Sequence, residues 1–448
     1  MTATGAARAA TTNHRYAFIL LGSLQAVLIF TLTAIIVPLP RIAHEFGLEH
    51  ANLILLSAAY GLSFTGLLLF GGRLADRYGG RRALTSGIVL FTAGSSAAAL
   101  APDIGPLLAA RFAQGAGAAL IAPAAMAVLR SVFPSPTAYG RAMGTWGGLS
   151  VLGATLGNLL SGVISSLLSW RWAFAVPLVV AVAALALAPR LLPDTPPSRG
   201  RTLDLPGALL ATAGISLASY GLVATDARPW SSAGVLVPLL GGAALFGAFL
   251  IAERHARDPL LPPRFLLDQR RAFALAAIAL SACGTALTFV VLSLHLQQAR
   301  EWSPLQTSAA FVPFAAALIA SGRAAQPLIS RYGARAVTTA GLGTGAAGLA
   351  HLALTGLDAH ASYPQGLLPG LLLLPAGTAA SFAGAAVLAT TGVPQERTGL
   401  AGGVLNTAME FGPTVLLAIL LTLGSDASSL AATGAALAAV AVLNHRAK

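Results

Sequence analysis

Apolar residues in this chain come in long unbroken blocks rather than in the alternating pattern of a half-buried strand. Fourteen such blocks stand out, at 16–40, 52–72, 83–101, 105–130, 142–167, 172–189, 206–223, 233–252, 272–297, 305–322, 336–356, 366–392, 398–423 and 427–444. Their lengths fit the roughly 17–25 residues that a helix needs to cross a bilayer's hydrocarbon core. Proline falls inside several of them (Pro38, Pro123, Pro313, Pro413). Membrane helices tolerate this, because neighbouring helices re-satisfy the freed backbone groups, and their glycines let helices approach closely. The pattern predicts an all-α integral membrane protein of fourteen transmembrane helices.

Composition agrees. Of 448 residues, 56% are hydrophobic and 9% charged, against roughly 25% charged in a soluble domain. The single cysteine, Cys283, sits inside an apolar block, so disulfides and cysteine metal sites are not expected. Lys448 is the only lysine, and the abundance of Ala, Gly and Arg fits a high-GC bacterial genome, hence an inner membrane.

The net charge of +12 is an orientation signal. With the N-terminus inside, even-numbered loops and both tails hold 22 of the 27 Lys+Arg, while odd-numbered loops hold Arg41, Arg171, Arg228 and Arg300. The acids show no such bias. Positive loops stay cytoplasmic, which predicts a multi-pass topology with both termini cytoplasmic, Arg264 inside and Asp358 outside. Segment 1–15, with Arg8 and Arg15, reads as a retained tail, because the apolar block after it is too long for a signal peptide. No nucleic-acid partner is expected.

A repeat divides the chain. Leu74-Ala75-Asp76-Arg77-Tyr78-Gly79-Gly80-Arg81 recurs as Leu328-Ile329-Ser330-Arg331-Tyr332-Gly333-Ala334-Arg335, and Thr85 and Gly87 recur as Thr339 and Gly341. Each copy follows the second helix of its half if blocks seven and eight are an insertion. The predicted organisation is a tail (1–15), a six-helix bundle (16–190), a linker with two extra helices (191–271) that starts Pro-rich at Pro193, Pro196 and Pro197, and a second six-helix bundle (272–445). Repeated bundles with a substrate path between them are the logic of alternating access.

These residues resemble the major facilitator superfamily, and within it the fourteen-helix drug/proton antiporter branch, over nearly the whole chain. Gly72-Arg73-Leu74-Ala75-Asp76-Arg77-Tyr78-Gly79-Gly80-Arg81-Arg82 is similar to the superfamily's loop 2–3 signature. Arg111-Phe112-Ala113-Gln114-Gly115-Ala116-Gly117 resembles the fourth-helix motif, and Ser169-Trp170-Arg171-Trp172-Ala173-Phe174 the tryptophan-rich 5–6 connection. Glu253-Arg254 to Asp258-Pro259, Gln297-Gln298 and Gly399 to Asn406 also fit the branch. Two positions depart from it. Thr31 stands where the branch carries an acid in helix 1. Gly153-Ala154 to Gly157-Asn158 only partly matches the fifth-helix antiporter pattern. Coupling therefore stays open between proton exchange and none.

By that resemblance Asp76, with Arg77, Gly72, Gly79 and Arg81, forms a cytoplasmic gate in which Asp76 caps the N-terminus of the thirteenth helix near Thr398. Anchoring at the membrane surface is the other reading for Arg81 and Arg82. Arg111 reads either as a cation snorkelling to the interface or as a buried charge coupled to an acid or a substrate. Glu410 lies halfway along its block with no cation in the same span. It is the candidate proton carrier, packing of a protonated Glu being the alternative. Gln25, Thr31, Gln114, Trp146, Asn158 and Asn406 are candidate substrate contacts, though helix–helix hydrogen bonds explain such groups equally well. His295 and His351 read as interfacial.

Gly343-Thr344-Gly345-Ala346-Ala347-Gly348 has the spacing of a dinucleotide loop but lies inside a helical block with no strand before it, so it reads as a packing set. No phosphate-binding P-loop, metal cluster or catalytic constellation is present, so neither cofactor nor enzyme activity is expected. The expectation is a monomeric secondary transporter exporting a lipophilic small molecule. Proton exchange is the leading mechanism, a metabolite exporter or uncoupled facilitator the second, and a receptor or scaffold the third.

Overall fold

The computed structural model describes residues 3–35, 38–48, 50–194, 204–226, 228–256, 268–358, 360–394, 398–413 and 426–446. Arg264, Asp258, Pro196, Pro197 and the second half of the thirteenth block lie outside these. Among the described residues every regular element is a helix. In chain order they are α1 (Ala3–Thr33), α2 (Leu39–Phe46), α3 (His50–Tyr78), α4 (Gly80–Ala99), α5 (Ile104–Val132), α6 (Pro136–Leu167), α7 (Ala175–Leu191), α8 (Leu205–Val223) and α9 (Ala233–His255). They continue with α10 (Gln269–Leu294), α11 (Pro304–Ala310), α12 (Val312–Tyr332), α13 (Ala334–His351), α14 (Leu368–Thr390), α15 (Thr398–Phe411) and α16 (Asp426–Arg446). Nine of the described helical stretches are long and apolar enough to cross a membrane.

Helix ends follow local chemistry. Asp103, Asp204 and Asp268 each accept an N–H from the first turn of the helix that follows, satisfying donors a helix start leaves orphaned. The first block is longer than its helix: α1 stops at Thr33, and a short α2 follows Pro38 and ends at Gly47, whose φ of 61° glycine adopts freely. The tenth block is likewise two helices, α11 and α12.

The chain packs as two units. Unit 1 comprises Met1–Pro134, Leu149–Pro263 and Val393–Asn406; unit 2 comprises Ser135–Gly148, Arg264–Gly392 and Thr407–Lys448. In unit 1 glycines bring helices to backbone contact. A Cβ on Gly71 would lie 2.0 Å from the Ala119 carbonyl oxygen, and one on Gly115 would lie 2.2 Å from that of Tyr60. Helix α8 docks on α3 through hydroxyls: Thr212 donates to the Gly66 carbonyl (2.9 Å) and Ser216 to that of Leu62 (3.1 Å). Those two contacts were not legible as such in the sequence, where blocks seven and eight read only as two inserted helices. In unit 2, α13 and α14 meet the same way, with Gly348 against the Leu374 nitrogen and Gly377 against that of Gly345. Gly343, by contrast, faces open space.

The sequence repeat is also a structural one. Gly79 and Gly333 join α3 to α4 and α12 to α13 with φ/ψ of 90°/141° and 84°/153°, a region essentially reserved for glycine. Arg77 lies over the Tyr78 ring at 5.4 Å, and Arg331 over that of Tyr332 at 5.2 Å. Thr85 donates to the Arg81 carbonyl (2.9 Å) as Thr339 does to that of Arg335 (3.0 Å). Arg81 donates to the Leu192 carbonyl just past α7 (3.1 Å), and Arg335 to the Asn444 carbonyl near the end of α16 (2.8 Å).

Candidate functional site

The end of α3 carries the first candidate. Asp76 is buried beside the α3–α4 turn, and its Oδ2 accepts the backbone N–H of Leu400 at 2.9 Å. Leu400 is the third residue of α15, so its N–H is one of the donors that a helix start leaves without an intrahelical partner. A carboxylate there is favoured both by the hydrogen bond and by the positive end of the helix dipole. Gly72 lies in the same contact: a Cβ on Gly403 would be 3.5 Å from its Cα and 3.0 Å from the Leu68 carbonyl oxygen. Gly79 supplies the turn. Arg81 reaches instead to Leu192 and to Asp194, its carboxylate partner at 2.6 Å.

Arg111 is the second candidate. It belongs to α5 and is fully buried (0% exposed) in unit 1. Its NH1 donates to the main-chain carbonyl of Thr31 (3.0 Å) and to Gln114 Oε1 (3.3 Å), and its guanidinium lies 4.9 Å from the Tyr60 ring centre. Gln114 passes the chain on, donating to Ser95 Oγ at 2.9 Å. The Tyr60 hydroxyl ties back to the Leu28 carbonyl (2.9 Å). Among the described residues no acid pairs with Arg111, and its Nε and NH2 have no hydrogen-bond partner. The charge is held by a carbonyl dipole, an amide and a π face. Thr31 itself turns inward on its own helix, its hydroxyl donating to the Val27 carbonyl (2.7 Å).

The other predicted contacts fall in different places. Gln25 donates to Ser150 Oγ (3.1 Å), and its Oε1 is buried with no partner. Trp146, in unit 2, is fully buried with its Nε1–H also unpaired. Asn406 gives its Nδ2 hydrogens to Met126 Sδ and to the Gly402 carbonyl, both at 2.9 Å. The side chain of Asn158 lies outside the described residues. Glu410 is buried in the unit 2 half of α15. Two residues on, Gly412 meets α10 so closely that a Cβ would lie 2.0 Å from the Ala279 carbonyl oxygen.

A further polar cluster sits at the opposite end of unit 1 from Asp76. Glu45, on α2, accepts Trp170 Nε1–H (2.6 Å) and Arg171 NH1 (2.7 Å), and Arg171 NH2 also donates to the Ala101 carbonyl (3.2 Å). The Arg171 guanidinium stacks 4.4 Å from the Trp170 ring, which meets Phe46 and Phe174 edge-on. The Trp170 N–H first, and Arg171 second, hold the Glu45 carboxyl below its usual range. The tryptophan-rich motif marked Trp170 and Arg171, but nothing in the sequence pointed to Glu45 as their partner.

Residues 19–416 match the sequence profile described as Major Facilitator Superfamily. The chain is 35% identical over 423 residues to the cephamycin export protein CmcT of Amycolatopsis lactamdurans, covering 94% of this chain and 87% of that one. It is 34% identical over 407 residues to the puromycin resistance protein pur8 of Streptomyces alboniger, covering 90% and 80%. Among solved structures it resembles the proton:xylose symporter XylE, with a TM-score of 0.66 at 13% identity over 96% of this chain and 95% of that one. It also resembles the human organic anion transporter MFSD10, with 0.65 at 19% identity over 95% and 98%.

Proposed function

Because the chain belongs to the Major Facilitator Superfamily, whose members move small molecules across membranes, we propose that it exports a lipophilic, antibiotic-like molecule from a bacterial cell by alternating access. The observation that carries this is the match, over nine tenths of the chain, to relatives named for cephamycin export and puromycin resistance. The full span count is fourteen, as two six-helix bundles (16–190 and 272–445) with two inserted helices. Both termini face the cytoplasm, and the protein works as a monomer in the inner membrane.

In this reading Asp76 locks the cytoplasmic side through Leu400, with the Gly79 turn fixing its position and Arg77 and Arg81 anchoring the loop. Glu410 carries the exchanged proton, and Arg111 is the buried cation that couples to an acid or a substrate. Gln25 Oε1 and Trp146 Nε1, buried and without partners, are the polar atoms with most to gain from a substrate, and Thr31, Gln114, Asn158 and Asn406 are the other candidate contacts. Buried unpaired polar atoms cost free energy that a ligand group can recover.

One observation favours a second reading, export without proton coupling: no acid pairs with Arg111 among the described residues. Two measurements separate the readings. A deletion strain is screened for hypersensitivity across an antibiotic panel, and the compound found is then followed in proteoliposomes with and without an imposed pH gradient. Accumulation against a gradient only when ΔpH is present supports exchange. Downhill flux indifferent to ΔpH supports the uncoupled reading. No compound whose sensitivity or flux depends on the protein would defeat export itself.

A further inference from the structure

We propose that Gly402, Gly403 and Asn406 are positioning residues of the gate, docking the first half of α15 on α3 and α5 just firmly enough to hold and just loosely enough to release. The idea rests on the reading of Asp76 as the lock and adds what sets its strength.

Three contacts lie along successive turns of α15. Leu400 reaches Asp76. Gly403 rests on α3 near Leu68 and Gly72, while Gly402 rests on α5, a Cβ there lying 3.1 Å from the Pro123 carbonyl oxygen and 3.2 Å from Met126 Cβ. Asn406 spends both amide hydrogens inside the same contact, on Met126 Sδ and on Gly402. The helix then leaves this neighbourhood: Val393–Asn406 packs with unit 1, and residues from Thr407 on with unit 2.

The distances separate docking from interlocking. Glycines joining α3 to α5 would put a Cβ 2.0–2.2 Å from a main-chain oxygen (Gly71, Gly115), and no side chain fits there. At Gly402 and Gly403 the same measure is 3.0–3.1 Å, so a methyl group would press on the neighbour without being excluded. A thioether sulfur is a weak acceptor, so the Asn406 contact is also one that yields.

The described residues of the other half of the repeat differ at both points. The counterpart of Asp76 is Ser330, whose hydroxyl donates to Pro327 on its own helix (3.0 Å). Helix α6 also divides between the units, Ser135–Gly148 packing with unit 2. There Gly148 has only ordinary side-chain contact, 3.6 Å to Leu318 Cδ2.

The test uses a single thiol. Ala401, 3% exposed on the docked half of α15, is changed to cysteine in a Cys283→Ala background, and labelling by N-ethylmaleimide is timed in membranes. Gly402→Ala, Gly403→Ala and Asn406→Ala should each speed labelling by about tenfold, with Gly343→Ala as the unchanged control. The alanines favour the helix itself, so faster labelling reports undocking and not unravelling. Combined with Asp76→Asn, Gly403→Ala should add little, since both release the same contact. Asn406→Ala only removes atoms, so it carries the test if a glycine variant fails to fold. Labelling unchanged in all three variants at normal protein levels would overturn the proposal, as would full additivity with Asp76→Asn. No substrate is needed, so failure here is distinct from failure of the export reading.

Discussion

The N–H of Leu400 donates to the carboxylate of Asp76 across 324 positions of chain, joining the end of one helix to the start of another. A carboxylate at a helix start contributes about 0.5–2 kcal/mol, enough to bias a gate several-fold without freezing it. On the proposed gating role, that scale suits a contact made and broken in every cycle.

Asp76→Asn keeps an acceptor but loses the charge. The protein should insert and reach normal levels, while export falls several-fold because the closed state loses its charge-assisted bond. Efflux compared at matched expression checks this; undiminished efflux removes Asp76 from the mechanism.

Glu410→Gln replaces the proposed proton carrier with a neutral group of the same shape. Active export should be lost while downhill exchange of substrate persists, and substrate binding should lose its dependence on pH. Flux and binding in proteoliposomes at two pH values measure both. Gradient-driven export that survives the change places coupling elsewhere or removes it.

Glu45 predicts a pH effect whose sign is fixed by its partners. Its carboxyl titrates below the usual range, so the stabilisation is present above the unfolded value of about 4.3 and is lost as pH falls through the folded value. The Glu45 side chain is 41% exposed, so solvent screening keeps the effect within about 1 kcal/mol. Acidification to that range should shift Trp170 fluorescence and lower the melting temperature slightly. Glu45→Gln should flatten this part of the pH profile; an unaltered profile would show that other groups set it.

Glycine substitutions should sort by what their Cβ would meet. Gly115→Ala drives a methyl group into the Tyr60 carbonyl and the Ser63 hydroxyl, 2.2 and 2.0 Å away, and should cost at least 1–3 kcal/mol. Gly343→Ala meets nothing within 4 Å and should be neutral or stabilising by up to about 1 kcal/mol. Thermal unfolding in detergent tests the pair, and a large loss at Gly343 would reopen its role.

Local pattern carried much of this fold. The apolar blocks marked helices because bilayer crossing constrains every residue of a span, and the Asp76/Ser330 repeat marked turns because only glycine takes the backbone at Gly79 and Gly333. Resemblance pointed Asp76 at the start of α15, and the structure has Leu400 there. What stayed hidden depends on partners far apart in sequence. Glu45 meets Trp170 across 125 positions, and the α8 hydroxyls spend themselves on α3 carbonyls that no periodicity advertises. Asn406 read equally as a substrate contact or a helix–helix hydrogen bond, and the partners that take its amide hydrogens include Met126, 280 positions away.

The paired anchors of Arg81 on Leu192 and Arg335 on Asn444 bear on how the chain is made. The first joins the start of α4 to the end of α7 within unit 1 and the second the start of α13 to the end of α16 within unit 2, so each unit carries its own closing clasp. The first clasp can shut as soon as Leu192 has emerged from the ribosome, before α10–α16 exist. Folding of unit 1 can therefore begin while most of unit 2 is still to be made, with Val393–Asn406 added to it late.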